Sequence, residues 1–148
     1  MPLKKFRMNI TPASPNSFSS AIALLKQNAL PTEDITAGTR LFVAEEEDLV
    51  VGTIAVEYDY KHALLRSLSV SEEKRKSGIG ATLVGFIENY VKQQGVEAIY
   101  ILTTTAESFF SRRGYHVIRR EDVPSFLQRT SEFSSVCPSS SIIMSKQL

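Results

Sequence analysis

Arg75-Lys76-Ser77-Gly78-Ile79-Gly80 stands between an apolar strand pattern that ends at Val70 and a helical pattern that begins at Ile79. Glycine tolerates backbone conformations that bring a turn close to a ligand. A helix starting here also aims unpaired N–H groups and its positive dipole end outward. Strand, glycine-bearing turn and helix N-terminus in that order make an anion cradle, and a pyrophosphate is the anion it suits. The dinucleotide fingerprint, with three glycines and an acidic residue after the second strand, is not met, and neither is the Gly-Lys-Ser/Thr ending of the nucleoside-triphosphate loop.

Downstream of the cradle, Ile79, Leu83, Phe86, Ile87, Tyr90 and Val91 form one apolar stripe at helical spacing, closed by Gly95. Ala98 to Thr103 reads as the next strand, and strand-loop-helix-strand predicts a parallel pair with a right-handed crossover. Upstream, strands over Arg40 to Ala44 and Leu49 to Tyr58 flank the acidic turn Glu45-Glu46-Glu47-Asp48, and another runs from Ala63 to Val70. With no helix between them, these three predict antiparallel pairing, and Gly52 marks a bulge or a close approach. Arg7 to Ile10 reads as a first strand, followed by a helix that Ser14 and Pro15 open. At the other end, a short helix over Ala106 to Arg113 stops at Gly114. Strands over Tyr115 to Arg119 and Ser140 to Lys146 then enclose a polar connection that is helical near Ser125 to Gln128. The expected class is α/β in the α+β sense: a mixed, mostly antiparallel sheet of six or seven strands, one parallel pair and flanking helices.

A chain of 148 residues holds one good core, so a single domain over residues 1–148 is expected. The net charge of +1 argues against a nucleic-acid binder. Cys137 is the single cysteine and cannot form an internal disulfide, which points to a reducing cytoplasm. The sequence lacks the apolar core of a signal peptide and any run of membrane-spanning length, so no membrane partner is expected. His62, His116 and Cys137 have no metal-ligand spacing, so no metal is assigned. A monomer or homodimer is expected.

The Arg-x-x-Gly-x-Gly loop, with the strand before it and the helix after it, resembles the GCN5-related N-acetyltransferase superfamily, and the likeness covers residues 7 to 146. A narrower likeness rests on Leu65-Arg66-Ser67-Leu68, on Leu102-Thr103-Thr104-Thr105-Ala106-Glu107-Ser108-Phe109-Phe110 and on the tail around Thr130-Ser131-Glu132-Phe133 and Val136-Cys137-Pro138. These stretches are similar to arsenic-resistance-associated N-acetyltransferases and to the acetyltransferase domain of N-acetylglutamate synthases. The resemblance implies acetyl-CoA as donor and a small-molecule amine as acceptor, and its arsenic-associated part implies an amino acid or amino-acid-like toxin and a detoxifying role. Other readings it leaves open are a biosynthetic N-acetylglutamate synthase-like enzyme, a protein-lysine acetyltransferase and a non-catalytic acetyl-CoA-binding regulator. By position it implies a bulge at Leu68-Ser69-Val70 that meets the acetyl-pantetheine arm, and a pyrophosphate site over Arg75, Lys76, Ser77, Gly78, Ile79, Gly80 and Ala81. It also brings Thr103, Phe109 and Phe110 to the cofactor.

Acetyl transfer to an amine needs an uncharged nucleophile, a polarised carbonyl and a proton for the leaving thiolate. The tyrosine that serves many family members as acid is replaced here by Phe110, and the usual glutamate base by Leu64. Glu57 and His62 are the substitute candidates for the base, His62 by its side-chain type. Tyr115, after the glycine, reads as a core aromatic. Arg66, on a central strand, needs a partner: an acceptor carboxylate or a nearby Asp or Glu. Thr104 and the polar segment from Glu132 to Ser140, which includes Cys137, are the further acceptor-side candidates.

Overall fold

The computed structural model describes residues 8–36, 39–136 and 141–148. Its elements are β1 (Met8–Pro12), α1 (Pro15–Gln27), β2 (Arg40–Glu46), β3 (Leu49–Tyr58), β4 (His62–Val70), α2 (Ile79–Gln93), β5 (Ala98–Thr103), α3 (Glu107–Ser111), β6 (His116–Ile118), α4 (Ser125–Gln128) and β7 (Ile142–Gln147). The seven strands form one sheet in the order β1-β2-β3-β4-β5-β7-β6. Every neighbouring pair is antiparallel except β4 and β5, which run parallel across the α2 crossover.

The helices divide between the two faces, so β4 is buried on both sides and reads as a nearly continuous apolar run. On one face α2 buries Ile79, Leu83, Val84, Ile87 and Val91 against Ile54, Val56, Ala63, Leu65 and Ile99. On the other, α1 covers Leu41, Val43 and Ala55 through Ala21, and α4 covers Leu64 and Leu102 through Leu127. Ser14 and Ser17 close a reciprocal capping box at the start of α1, with Pro15 in its first turn.

Three details differ from the sequence reading. First, α3 is shorter than expected at its start, because Thr103 Oγ1 accepts the N–H groups of Thr105 (3.3 Å) and Ala106 (2.9 Å) and turns the chain before the helix begins. Second, the polar connection contains a π turn, Glu132–Val136, in addition to α4. Cys137 and residues 138–140 lie outside the described residues.

Third, the bulge on β4 is Ser67-Leu68, so of the expected Leu68-Ser69-Val70 only Leu68 takes part. Thr53 pairs with Ser69 and Ala55 with Arg66, so Ile54 alone faces both Ser67 and Leu68. Ser67 takes a left-handed φ of 59°, and the Thr53 hydroxyl donates to its carbonyl at 2.8 Å, holding the displaced backbone. Ser69 and Val70 are back in the ladder. On the neighbouring pair, Gly52 sits beside an extra residue, Val51, and also serves a close approach: a Cβ on it would come within 3.0 Å of Leu83 Cδ1 and 3.2 Å of the Ser69 carbonyl.

The parallel ladder is short. β4 and β5 pair only at His62–Ala98, Ala63–Ile99 and Leu64–Tyr100, and both strands then continue unpaired with each other to Val70 and Thr103. The sheet therefore opens as a V at its centre, with the β4 bulge on one arm.

Candidate active site

The cradle follows directly from β4. Lys76 (φ 68°) and Gly78 (φ 90°) turn the backbone left-handed, and no side chain caps the start of α2 at Gly78. A helix start of this kind leaves its first N–H groups to an outside acceptor. The Ser77 hydroxyl is spent inside the turn, on the Lys74 carbonyl. A hollow of about 430 Å³ lies over the loop, bordered by Val70, the 74–76 and 78–81 stretches, Phe109, Arg112 and Arg113.

The cations around this hollow are not equivalent. Lys74 pairs with Glu46 at 3.0 Å. Arg75 turns inward, donating to Asn28 Oδ1 at 2.6 Å and to the Val70 carbonyl at 3.3 Å, so it braces the loop. Arg113 lies 3.7 Å above the Phe109 ring and donates to the Phe109 carbonyl at 2.7 Å. Arg112 and Arg113 were not foreseen as site residues. Their position one residue beyond the phenylalanine pair is visible in the sequence, but only the packing of α3 on the cradle, where a Cβ on Gly80 would lie 3.4 Å from Phe109 Cζ, brings them to it.

A second cavity, of about 140 Å³, fills the V. Arg66, Ser67 and Leu68 line it from β4, Leu102 and Thr103 from β5, and Thr105, Phe110 and Glu132 close it. Val70 borders the first hollow and Leu68 the second, so β4 joins the two. Thr104 is exposed and does not line the cavity, whereas Thr105 does. The Ser69 hydroxyl accepts from the Asn28 amide, away from the V. Phe110 is buried edge-on between Phe109 and Tyr115 and has no proton to give. Tyr115 belongs to the core, with its hydroxyl donating to Glu88 at 2.9 Å. Burial first, and then the Glu88 charge, raise its phenol above the ordinary range.

Arg66 is fully buried and its partners are local. Asp34, from the connection after α1, takes both guanidinium amino groups at 2.5 and 2.6 Å; Glu57 on β3 accepts at 2.9 Å, and Glu132 lies 3.5 Å from Nε. Of the two partners open to it from sequence, the structure supplies the local acids. Burial opposes the guanidinium charge, but Asp34, Glu132 and Glu57 outweigh it and raise its pKa. The hydrogen bond from Arg66 lowers the Asp34 carboxyl below its ordinary value. Burial pushes Glu132 the other way, up to about 7, against the pull of Arg66 and with the push of Asp34 and Glu57.

The two expected bases separate. Glu57 is part of the Arg66 cluster, but it is bonded to the guanidinium and does not border the cavity. His62 opens β4 at the paired end of the V, five residues and therefore about 16 Å of strand from the bulge. Its Nδ1 lies 3.5 Å from Asp59 and its ring stacks on Phe126, so it is a turn and packing residue there. Glu132 is the acid that reaches the cavity. Its nearness to Arg66 has no local sequence signal, since α2, β5, α3, β6 and α4 all lie between them in the chain.

Residues 37–117 match the model of the acetyltransferase (GNAT) domain family. An uncharacterised N-acetyltransferase of Chlorobaculum tepidum is 39% identical over 89 residues, 60% of this chain and 57% of that protein. An amino-acid acetyltransferase of Pseudomonas syringae is 30% identical over 89 residues, 59% of this chain but only 21% of that protein. The matched region thus spans little more than half of one relative and about a fifth of the other. In solved structures, the N-acetylglutamate synthase of Neisseria gonorrhoeae, complexed with coenzyme A and N-acetyl-glutamate, superposes with a TM-score of 0.82 at 16% identity, over 98% of this chain and 36% of that one. With the family model matching more than half of its length, and the seven-stranded sheet split between β4 and β5, this chain belongs to the GNAT acetyltransferase family.

Proposed function

We propose that this protein is an acetyl-CoA-dependent N-acetyltransferase acting on the amine of a small molecule. The observation that carries the reading is the continuity of the two cavities along β4: an uncapped helix start ringed by cations leads, within two residues of strand, to a cavity at a backbone bulge. Coenzyme A pyrophosphate suits the amides of the 76–81 stretch, with Lys76 and Arg112 supplying positive charge. The pantetheine arm then enters the V past Phe109 and Val70, and the thioester stands beside Ser67 and Leu68. A backbone N–H released from the ladder at the bulge is suited to stabilise the oxyanion, and holding both reactants in one cleft removes the entropy of encounter. No metal takes part in this scheme.

The acceptor side is acidic: Arg66 is one positive charge among three carboxylates. That balance favours an acceptor that arrives as an ammonium ion. An amino-acid acceptor is the second reading, favoured by the similarity to amino-acid acetyltransferases, and it requires the acceptor carboxylate to displace Asp34 from Arg66. A detoxifying role on glutamate-like arsenical or phosphinic toxins, and a biosynthetic role on glutamate itself, are both forms of this second reading. The test is thiol release from acetyl-CoA over amino acids, glutamate analogues, polyamines and a lysine peptide. Release with a small amine supports the proposal. Coenzyme A binding without thiol release on any amine identifies a cofactor-binding regulator instead, and release only with the peptide identifies a protein acetyltransferase.

A further inference from the structure

We infer that Glu132 is the catalytic residue that takes the proton from the acceptor's ammonium group. The inference rests on the proposed acetyl transfer and assigns the base that neither the sequence nor the expected position on β4 provides. Four observations converge on it. Glu132 lines the cavity in the V together with Ser67 and Leu68. It is only 5% exposed, so its carboxylate meets the acceptor without a competing water layer. Its distance to Arg66, 3.5 Å, is the longest of the three acids, which leaves it the least committed to the guanidinium. The charged groups that face it are Arg66 from β4, Asp34 from the α1–β2 connection and Glu57 from β3, and the two acids raise its proton affinity while Arg66 lowers it. Burial is the largest cause and pushes the carboxyl up to about 7, where a general base works best near neutral pH.

The acceptor enters as R–NH3+, and one of its protons passes to Glu132. The freed lone pair attacks the thioester carbonyl, forming the N–C bond as the carbonyl oxygen takes the charge beside the bulge. When the intermediate collapses, the C–S bond breaks, and the departing sulfur takes a second proton from the amine nitrogen. The third proton stays on the amide. Glu132 then releases its proton to water. This route needs no tyrosine acid, which fits a chain that carries Phe110 at that place.

The test follows thiol release against pH, from about 5.5 to 10, with acetyl-CoA and three probe amines: putrescine, ethanolamine and glutamate. In the wild type, kcat/KM rises through about 7 as Glu132 ionises and falls again as the free amine loses its proton at its own pKa. Glu132→Gln is expected to lower kcat/KM by about 100-fold and abolish the lower limb, while leaving the KM for acetyl-CoA unchanged. A variant that keeps both rate and limb overturns the assignment alone. Wild-type protein that binds coenzyme A but releases no thiol with these three or with any other small amine of the wider panel overturns the small-molecule acetyl-transfer reading and this one with it. A measurement on wild-type protein stands even where the variant does not fold: putrescine binding to the coenzyme A complex near pH 6 is expected to expel up to about one proton, read by calorimetry in buffers of different ionisation heat. Binding without proton release overturns the assignment.

Discussion

The two halves of the site are built on opposite principles. The cradle is a surface feature made of backbone: left-handed turns at Lys76 and Gly78, an uncapped helix, and the exposed cations Lys76 and Arg112. The acceptor half is buried and made of side chains, with Arg66 held by three acids from three separate segments. Removing one group from the first weakens a ligand contact. Removing the central group from the second strands charge in the interior, so the acceptor half binds stability and function together where the cradle keeps them apart.

Arg66→Met is the sharpest test of that contrast. It leaves three carboxylates facing one another in a buried space, and a loss of about 3–5 kcal/mol in unfolding free energy is expected in urea melts. A variant that stays stable and loses only acceptor affinity would return Arg66 to the role of an acceptor ligand. On the cradle side, the double change Lys76→Ala with Arg112→Ala is expected to weaken coenzyme A binding by about 10–100-fold with little change in melting temperature. Titration calorimetry reads it, and the wild-type affinity should also fall with added salt, because these charges lie near the surface.

Glu132→Gln separates the halves by pH. A carboxyl whose folded pKa is raised favours folding in its protonated form, so its ionisation costs stability as pH rises from the ordinary carboxylate range to about 7. The variant avoids that cost, which is at most about 3 kcal/mol. Thermal melts should therefore show it stabilised at pH 8 and nearly unchanged at pH 5. Equal effects at both values would mean that Glu132 is already ionised in the folded protein at low pH. The smallest effect belongs to the cradle: Gly78→Ala meets nothing within 4 Å, so its cost is the left-handed φ of 90° alone, about 1 kcal/mol.

The same contrast explains what was legible in the sequence. The cradle, the stripe of α2 and the parallel pair are local patterns, where residue type and spacing dictate backbone geometry directly. Gly78, Ile79 and the end of β4 at Val70 stand where the pattern puts them. The bulge was displaced because its position depends on Thr53, a residue on another strand whose hydroxyl holds the Ser67 carbonyl. The acid cluster was less legible still. That Arg66 needs a partner could be read from its place on a buried strand, but which acids supply it depends on how the α1–β2 connection and the π turn fold back over β4. His62 shows the converse, a residue of suitable chemistry that the strand direction carries to the wrong end of the V.

Asn28, at the end of α1, gives the amide that reaches Ser69 and the Val70 carbonyl, and its own oxygen receives Arg75. The first helix and the cradle are therefore mechanically one body. A ligand that stills the cradle must also slow the opening of α1, and by reciprocity whatever loosens that helix weakens the ligand. Amide hydrogen exchange at Leu24 to Asn28 should slow when coenzyme A binds, although none of those residues borders the hollow over the loop, and Asn28→Ala should uncouple the two.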